Sequence, residues 1–374
     1  MAEAQTNNAP TKIGIIGCGN ISRAYFHGCG FFPNLEIVAC ADLSVALAVE
    51  KAAEWNIPRG CSVDELLADD EIELVINLTI PAAHAEVDLQ ILQAGKHAYS
   101  EKPFAVERED GQKVLALAKE KNLRTGCAPD TFLGGGIQTC IKLVNDGWIG
   151  TPVAATGFMM SSGPESWHPN PTFYYQRGGG PMFDMGPYYL TALISLLGPV
   201  RRISGATRIT REERMATGES TYGLNIKVET PTHVAAVLDF HSGPIATLVT
   251  SFDVQAAQLP NIELYGTEGT IRVPDPNTFG GPVLVNRVGS GEWKEVPITH
   301  DSTEPGRGTG VADMANAIQT GRPHRVSGEM AYHVLDLMHG VHDASSEGRH
   351  IELQSTCDKP APLSMKPVRE AVLE

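Results

Sequence analysis

Lys12-Ile13-Gly14-Ile15-Ile16-Gly17-Cys18-Gly19-Asn20-Ile21-Ser22 is the stretch that decides how this chain is built. A β-branched apolar run enters a glycine turn, and the segment 23–28 leaves it with a helical pattern, giving G-x-G-x-x-S in a strand-turn-helix setting. Glycines there let the backbone turn tightly and approach a pyrophosphate. The free N–H groups and the dipole of a helix start favour negative charge. Ser22 stands where a third Gly or Ala is usual, and it is small enough to keep the helix close to the sheet. At the end of the second apolar strand, Asp42 sits where a carboxylate holds ribose hydroxyls, with the alternative that it caps the following helix. Leu43 and Ser44 follow it with no cation to neutralise a 2′-phosphate, which favours NAD over NADP. Gly17, Gly19, Asn20, Ile21, Asp42 and Leu43 are therefore the candidate dinucleotide contacts of this half.

The same rhythm continues outward. Short apolar runs at 13–16, 35–41, 74–78 and 97–100 alternate with helical patterns at 44–55 and 83–94, and Ser62 with Glu65 reads as a capping box. Nearly continuous apolar strands are those of a parallel sheet covered on both faces. This predicts an α/β chain whose first domain, residues 1–128, is a Rossmann-type doubly wound sheet. After Asp130 the texture changes to Gly and Pro clusters and longer alternating strands. Runs at 233–240 and 245–252 flank a Ser242-Gly243-Pro244 turn, and two helical patterns follow at 311–320 and 329–347 before a polar tail expected on the surface. Residues 129–374 are thus read as a second α/β domain with a large, open, mainly antiparallel sheet.

The chain of 374 residues carries 29 Lys and Arg against 44 Asp and Glu, a net charge of −15 that repels nucleic-acid phosphates and anionic lipid surfaces. Residues 1–12 are polar with no apolar leader core, and no stretch approaches about 18 uninterrupted apolar residues. The seven cysteines are odd in number, scattered and free of C-x-x-C pairs, as expected of buried thiols in a reducing compartment. The expectation is a cytoplasmic protein without nucleic-acid or membrane partners.

Residues 74–105, LVINLTIPAAHAEVDLQILQAGKHAYSEKPFA, contain Thr79, Pro81 and His84, then Ala94-Gly95-Lys96-His97, then Glu101-Lys102-Pro103. Further on come Gly178-Gly179-Gly180, Asp184, Gly186 and Tyr188. These motifs resemble the T-P-x-x-H, E-K-P and G-G-G…D-x-G-x-H/Y signatures of the glucose-fructose oxidoreductase, inositol dehydrogenase and related (Gfo/Idh/MocA) family, with one residue inserted between Thr79 and Pro81. The resemblance covers almost the whole chain. It implies reversible hydride transfer between a nicotinamide and a hydroxyl-bearing carbon of a sugar, sugar derivative or cyclic polyol, in a homodimer or homotetramer. It also places Thr79, Pro81, His84, Glu101 and Lys102 at the cofactor.

By the same resemblance Lys102, Tyr188 and Asp184 are the catalytic candidates. A desolvated lysine beside an oxidised nicotinamide is expected to have its pKa pushed down, so that it orients a hydroxyl or takes its proton. Tyr188 replaces the histidine common in the family, as in the glucose-fructose oxidoreductase and dihydrodiol dehydrogenase branches, though its ring also suits a core position before 190–197. Pro187 suggests a helix starting there, which would leave Asp184 outside it. The segment 167–177 gathers Trp167, His168, Tyr174 and Arg177, read either as a substrate wall or as a loop packed by its own aromatics. Asp336, His339, His342 and Asp343 fall at helical spacings, but such groups on a long amphipathic helix are usually solvated or paired, and no metal is expected. Two alternatives stand beside the dehydrogenase: an oxidoreductive glycosidase that oxidises its sugar transiently, including an acidic or sulfonated one, and a non-catalytic nucleotide-dependent regulator.

Overall fold

The computed structural model describes residues 9–304 and 306–374, so the leaderless reading of residues 1–8 falls outside the described residues. The chain begins with β1 (Thr11–Ile16), α1 (Ser22–Cys29), β2 (Leu35–Ala41), α2 (Val45–Trp55), β3 (Arg59–Cys61) and α3 (Val63–Leu67). It continues through β4 (Leu74–Asn77), α4 (His84–Gln93), β5 (His97–Ser100), α5 (Arg108–Glu120) and β6 (Thr125–Cys127). The six strands form one parallel sheet in the order β3-β2-β1-β4-β5-β6. Both faces are buried. Ile13 and Ile15 pack with Tyr25 and Phe26 on one side, while Ile16 packs with Ala39, Leu66 and Ile91 on the other. That two-sided burial is why these strands read as apolar runs instead of alternating ones. The Ser62–Glu65 capping box closes as expected, with side chain and backbone satisfied reciprocally.

The second half opens with α6 (Gly135–Asn145), β7 (Pro152–Met160), α7 (Gly180–Leu197) and β8 (Val200–Arg208). The short β9 (Glu213–Met215) and β10 (Asn225–Lys227) pair as a separate hairpin. Then come β11 (His233–Phe240), β12 (Ile245–Ser251), β13 (Ile262–Gly266), β14 (Gly269–Val273), β15 (Val283–Arg287) and β16 (Lys294–Val296). The chain ends with α8 (Thr309–Thr320), α9 (Gly328–Glu347), β17 (Ile351–Glu352) and α10 (Val368–Ala371). Nine strands form a sheet in the order β16-β15-β14-β13-β7-β12-β11-β8-β17, antiparallel except between β7 and β12. In β11 Val234, Ala236 and Leu238 are buried while Val237 on the opposite face is exposed, the alternation of a sheet covered on one side.

Two expectations are corrected here. Pro187 lies inside α7, whose first turn holds Pro181. A proline mid-helix costs about 3 kcal/mol, but from Gly186 to Leu197 every residue of α7 is buried, and its packing on β7, β11, β12 and α9 outweighs that local penalty. The C-terminal tail is also anchored rather than wholly superficial: Cys357, Leu363, Val368 and Val372 are buried in the main core. All seven cysteines are free and buried. Among the described residues no helix is long and apolar enough to cross a membrane.

Candidate active site

β1 runs into Gly17, whose φ of 102° an L side chain rarely adopts and where a Cβ would lie 2.6 Å from the Leu78 carbonyl oxygen. At Gly19 a Cβ would meet nothing within 4 Å, so the turn presents bare backbone to open space. The start of α1 carries no side-chain cap. Buried Ser22 turns its hydroxyl back onto the Gly19 carbonyl at 2.7 Å, so the residue that departs from the usual glycine pattern satisfies itself within the turn. Asp42 accepts the Cys18 N–H and the Ser44 N–H, both at 2.9 Å. It ties the glycine turn to the end of β2, while Ser44, not Asp42, caps α2. Leu43 is exposed, and Asn20 sits exposed in the turn. This frame fits a dinucleotide: a glycine turn open to close approach, an uncapped helix start and a carboxylate at the second strand.

Next to it lies a pocket of about 490 Å³. Ile21, Thr79, Pro81, His84, Glu101 and Lys102 reach it from the strand ends of the first sheet. Asp184, Met185 and Tyr188 reach it from α7, and Trp167 and Tyr174 from the long loop. His84 is a buried tie, with Nδ1 2.7 Å from the Pro103 carbonyl and Nε2 3.0 Å from the Thr79 carbonyl. Burial holds its pKa below the usual histidine value. It therefore braces the segment carrying Lys102. Glu101 accepts the Tyr25 hydroxyl and the Lys102 N–H, each at 2.9 Å.

Lys102 Nζ donates to Asp184 Oδ1 at 2.8 Å and to the Asp184 carbonyl at 2.6 Å, and lies 5.2 Å from the centre of the Tyr188 ring. The continuous helix puts Asp184 and Tyr188 one turn apart on the same face. Burial works to lower the Lys102 pKa, but the neighbouring Asp184 carboxylate overrides it, and the ammonium is held above lysine's ordinary value. The expected downward shift is therefore reversed, because a lysine paired with a carboxylate is stabilised in its charged form.

Arg307 is the residue the sequence reading missed. Its Nη2 donates to the Tyr188 hydroxyl at 2.8 Å, and its Nη1 lies 3.5 Å from fully buried Asp130. Asp130 accepts the N–H groups of Gly308 and Gly310 through its other oxygen. The one sequence signal for Arg307 was its setting between glycines in Gly306-Arg307-Gly308. At Gly28 on α1 a Cβ would stand 1.6 Å from the Arg307 carbonyl oxygen, so the helix lies directly on this segment. Met159, Ser161, Phe252 and Asn277 also line the pocket and carried no motif.

Two candidate substrate contacts, Arg177 and His168, do not line this inner pocket. Arg177 is 80% exposed and forms a two-pronged pair with Glu107 at 2.6 and 2.8 Å, a surface arrangement that draws it away from the pocket. His168 packs against Trp167, Phe173 and Tyr174 and lines the adjoining groove. In α9, Asp336 and Asp343 both pair with Arg108, and His339 Nε2 meets the Val106 carbonyl at 2.9 Å.

The profile described as "Oxidoreductase family, NAD-binding Rossmann fold" matches residues 11–128, and that described as "GFO/IDH/MocA C-terminal domain" matches residues 137–272. An uncharacterized oxidoreductase of Schizosaccharomyces pombe is 30% identical over 202 residues, which are 50% of this chain and 52% of that protein. The chain thus spans about half the length of the Schizosaccharomyces relatives it matches, 52% and 56%. A 1,5-anhydro-D-fructose reductase of Ensifer adhaerens is 26% identical over 262 residues, 69% of this chain and 74% of that protein. Among solved structures, levoglucosan dehydrogenase superposes with a TM-score of 0.79 at 19% identity, covering 94% of this chain and all of the other. The aldose-aldose oxidoreductase of Caulobacter crescentus complexed with glycerol gives 0.77 at 20%, covering 92% and 100%. These likenesses show a shared fold.

Proposed function

Because the chain belongs to the Gfo/Idh/MocA oxidoreductase family, we propose that it is an NAD-dependent dehydrogenase or reductase acting on a hydroxyl-bearing carbon of a sugar or cyclic polyol. The observation that carries this reading is the Lys102–Asp184 pair set beside Tyr188 at the junction of the glycine-turn frame and α7. The named activities of the Ensifer reductase and of levoglucosan dehydrogenase support a sugar substrate.

A bound nicotinamide supplies the hydride acceptor or donor. Oxidation of a secondary alcohol also requires that the hydroxyl proton leave as hydride departs from the same carbon. Lys102, held protonated by Asp184, serves as a donor that orients the substrate oxygen. Tyr188 is then the group that exchanges the proton: its oxygen accepts from Arg307, leaving its own O–H directed elsewhere. Asp184 positions Lys102. Asp42, followed by exposed Leu43 and by Ser44 without a cation, supports NAD over NADP. The exposed Val237 and Ile245 on adjacent strands of the uncovered sheet face support self-association through that face, which light scattering would reveal as a dimer or larger assembly.

The test is incubation of the protein and NAD with sugars, cyclitols and aryl glycosides, following absorbance of NADH and release of aglycone together. NADH accumulation with at least one sugar or cyclitol is expected. Aglycone release without NADH would replace this reading by an oxidoreductive glycosidase, and silence in both channels by a regulator.

A further inference from the structure

We propose that the site extends into an outer subsite for a second, uncharged sugar unit seated on Trp167; this rests on the sugar-oxidoreductase reading above. Trp167 is 66% exposed and stands between two concavities. It lines the inner pocket, and it also lines a groove of about 550 Å³ with Ser166, His168, Glu219 and Ser220. Near-perpendicular contacts with His168 (5.4 Å) and Tyr174 (6.3 Å) brace the indole. The apolar C–H face of a pyranose is the natural partner of such an aromatic surface.

The groove rests on a fixed frame. Buried Arg214 donates to Glu165 and to the Ser162 and Phe252 carbonyls, and pairs with Asp253. The Glu165 carbonyl accepts the N–H groups of Thr217 and Gly218 at 3.0 and 2.9 Å, tying the far wall of the groove to the loop that carries Trp167. The Pro164 carbonyl accepts the Trp167 and His168 N–H groups. Both walls are therefore set before a ligand arrives, which lowers the ordering cost of binding.

Charge selects the occupant. The groove is lined by Glu219 and by no lysine or arginine. In the inner pocket Lys102 is paired with Asp184 and Arg307 with Asp130, while Arg177 is held outside by Glu107. A carboxylate, sulfonate or phosphate on the outer unit would meet Glu219 and no cation of the groove's lining, whereas hydroxyls would find the Glu219 carboxylate and the Ser166 and Ser220 hydroxyls there. His168 accepts the Asn170 N–H at Nδ1, which leaves Nε2 as the ring's donor position.

The experiment compares kcat/KM with NAD for monosaccharides and their neutral disaccharides: glucose with cellobiose and maltose, xylose with xylobiose. At least one disaccharide is expected to exceed its monosaccharide by about tenfold, the worth of one good aromatic stacking contact. Trp167→Ala, which removes the platform, and Ser220→Trp, which fills the groove, should each bring that ratio down toward one, while Trp167→Phe retains most of it. Circular dichroism establishes that the variants fold. A wild-type ratio near one for every pair, a ratio unmoved in both variants, or preference for a uronic-acid disaccharide would overturn the subsite. If no sugar is oxidised the dehydrogenase reading fails separately. Calorimetric titration of the NAD-loaded protein with the same disaccharides then decides the subsite: binding weakened by both variants supports it, and no binding refutes it.

Discussion

Arg307 Nη2 donates to the Tyr188 hydroxyl at 2.8 Å across 119 residues of sequence, and its guanidinium carbon lies 5.6 Å from the centre of the same ring. The phenol oxygen is thereby fixed by the segment that packs on α1, while α7 carries the ring. Removing one positioned donor from a reacting group typically costs about 10²–10³ in rate, and Arg307→Ala should lower kcat by that order. The same change removes the ion-pair partner of Asp130, a buried carboxylate left with only the Gly308 and Gly310 N–H groups, at a stability cost of about 3 kcal/mol. Arg307→Ala combined with Asp130→Asn should therefore recover thermal stability without recovering kcat. Recovery of both would show that the arginine matters only for folding.

Lys102 owes its charge to Asp184. With Asp184→Asn the carboxylate is gone and burial acts unopposed, so the ammonium loses its proton at lower pH. The basic limb of the pH profile of kcat/KM should move down by at least about one unit. Lys102→Met should abolish turnover while the protein still binds NAD, read by tryptophan fluorescence, because the glycine turn and Asp42 are untouched. An unmoved basic limb in Asp184→Asn would remove Lys102 from the titration.

Asp42 joins the glycine turn to α2 through two backbone N–H groups. Asp42→Ala deletes both bonds and the carboxylate proposed to hold the ribose hydroxyls. NAD binding should weaken about tenfold or more while NADP binding weakens less or improves, narrowing the preference between them. Tighter binding of NADP than NAD by the unaltered protein would contradict the reading at its root.

Asp88 is fully buried between Asn77 and Ser100, and burial lifts its pKa to about 7 from 3.8. Below about pH 4 the folded and unfolded chains both hold this proton. Between about 4 and 7 only the folded chain does, so this group's contribution to folding stability falls as pH rises through that window, by up to about 1.4 kcal/mol per unit. Asp88→Asn should flatten this part of the stability curve and leave the protein more stable than the parent at pH 8, measured by urea denaturation. A steeper curve in the variant would refute the assignment.

The parts of the molecule visible in the sequence were those fixed by local rules. The glycine turn, the Ser62 cap and the apolar strands β1, β2, β4 and β5 follow from backbone sterics and two-sided burial acting over a few residues. Lys102, Asp184, Tyr188, Trp167 and Tyr174, widely separated in the chain, line one pocket. What escaped depends on tertiary neighbours. Pro187 is carried inside α7 by packing that no helix-start rule contains. Arg177 finds Glu107, 70 residues away, and leaves the pocket. Lys102 is charged up instead of down because its carboxylate partner is 82 residues distant. Arg307 belongs to the site only because its loop is pinned to Asp130.

The bare backbone of Gly28 against the Arg307 carbonyl welds the cofactor-side helix to the segment that steadies the tyrosine. Along this seam the two halves have no room to swing apart and back by a side chain's width without breaking van der Waals contact. An alanine at position 28 would act there as a wedge, disturbing nucleotide seating and proton exchange together although it touches neither.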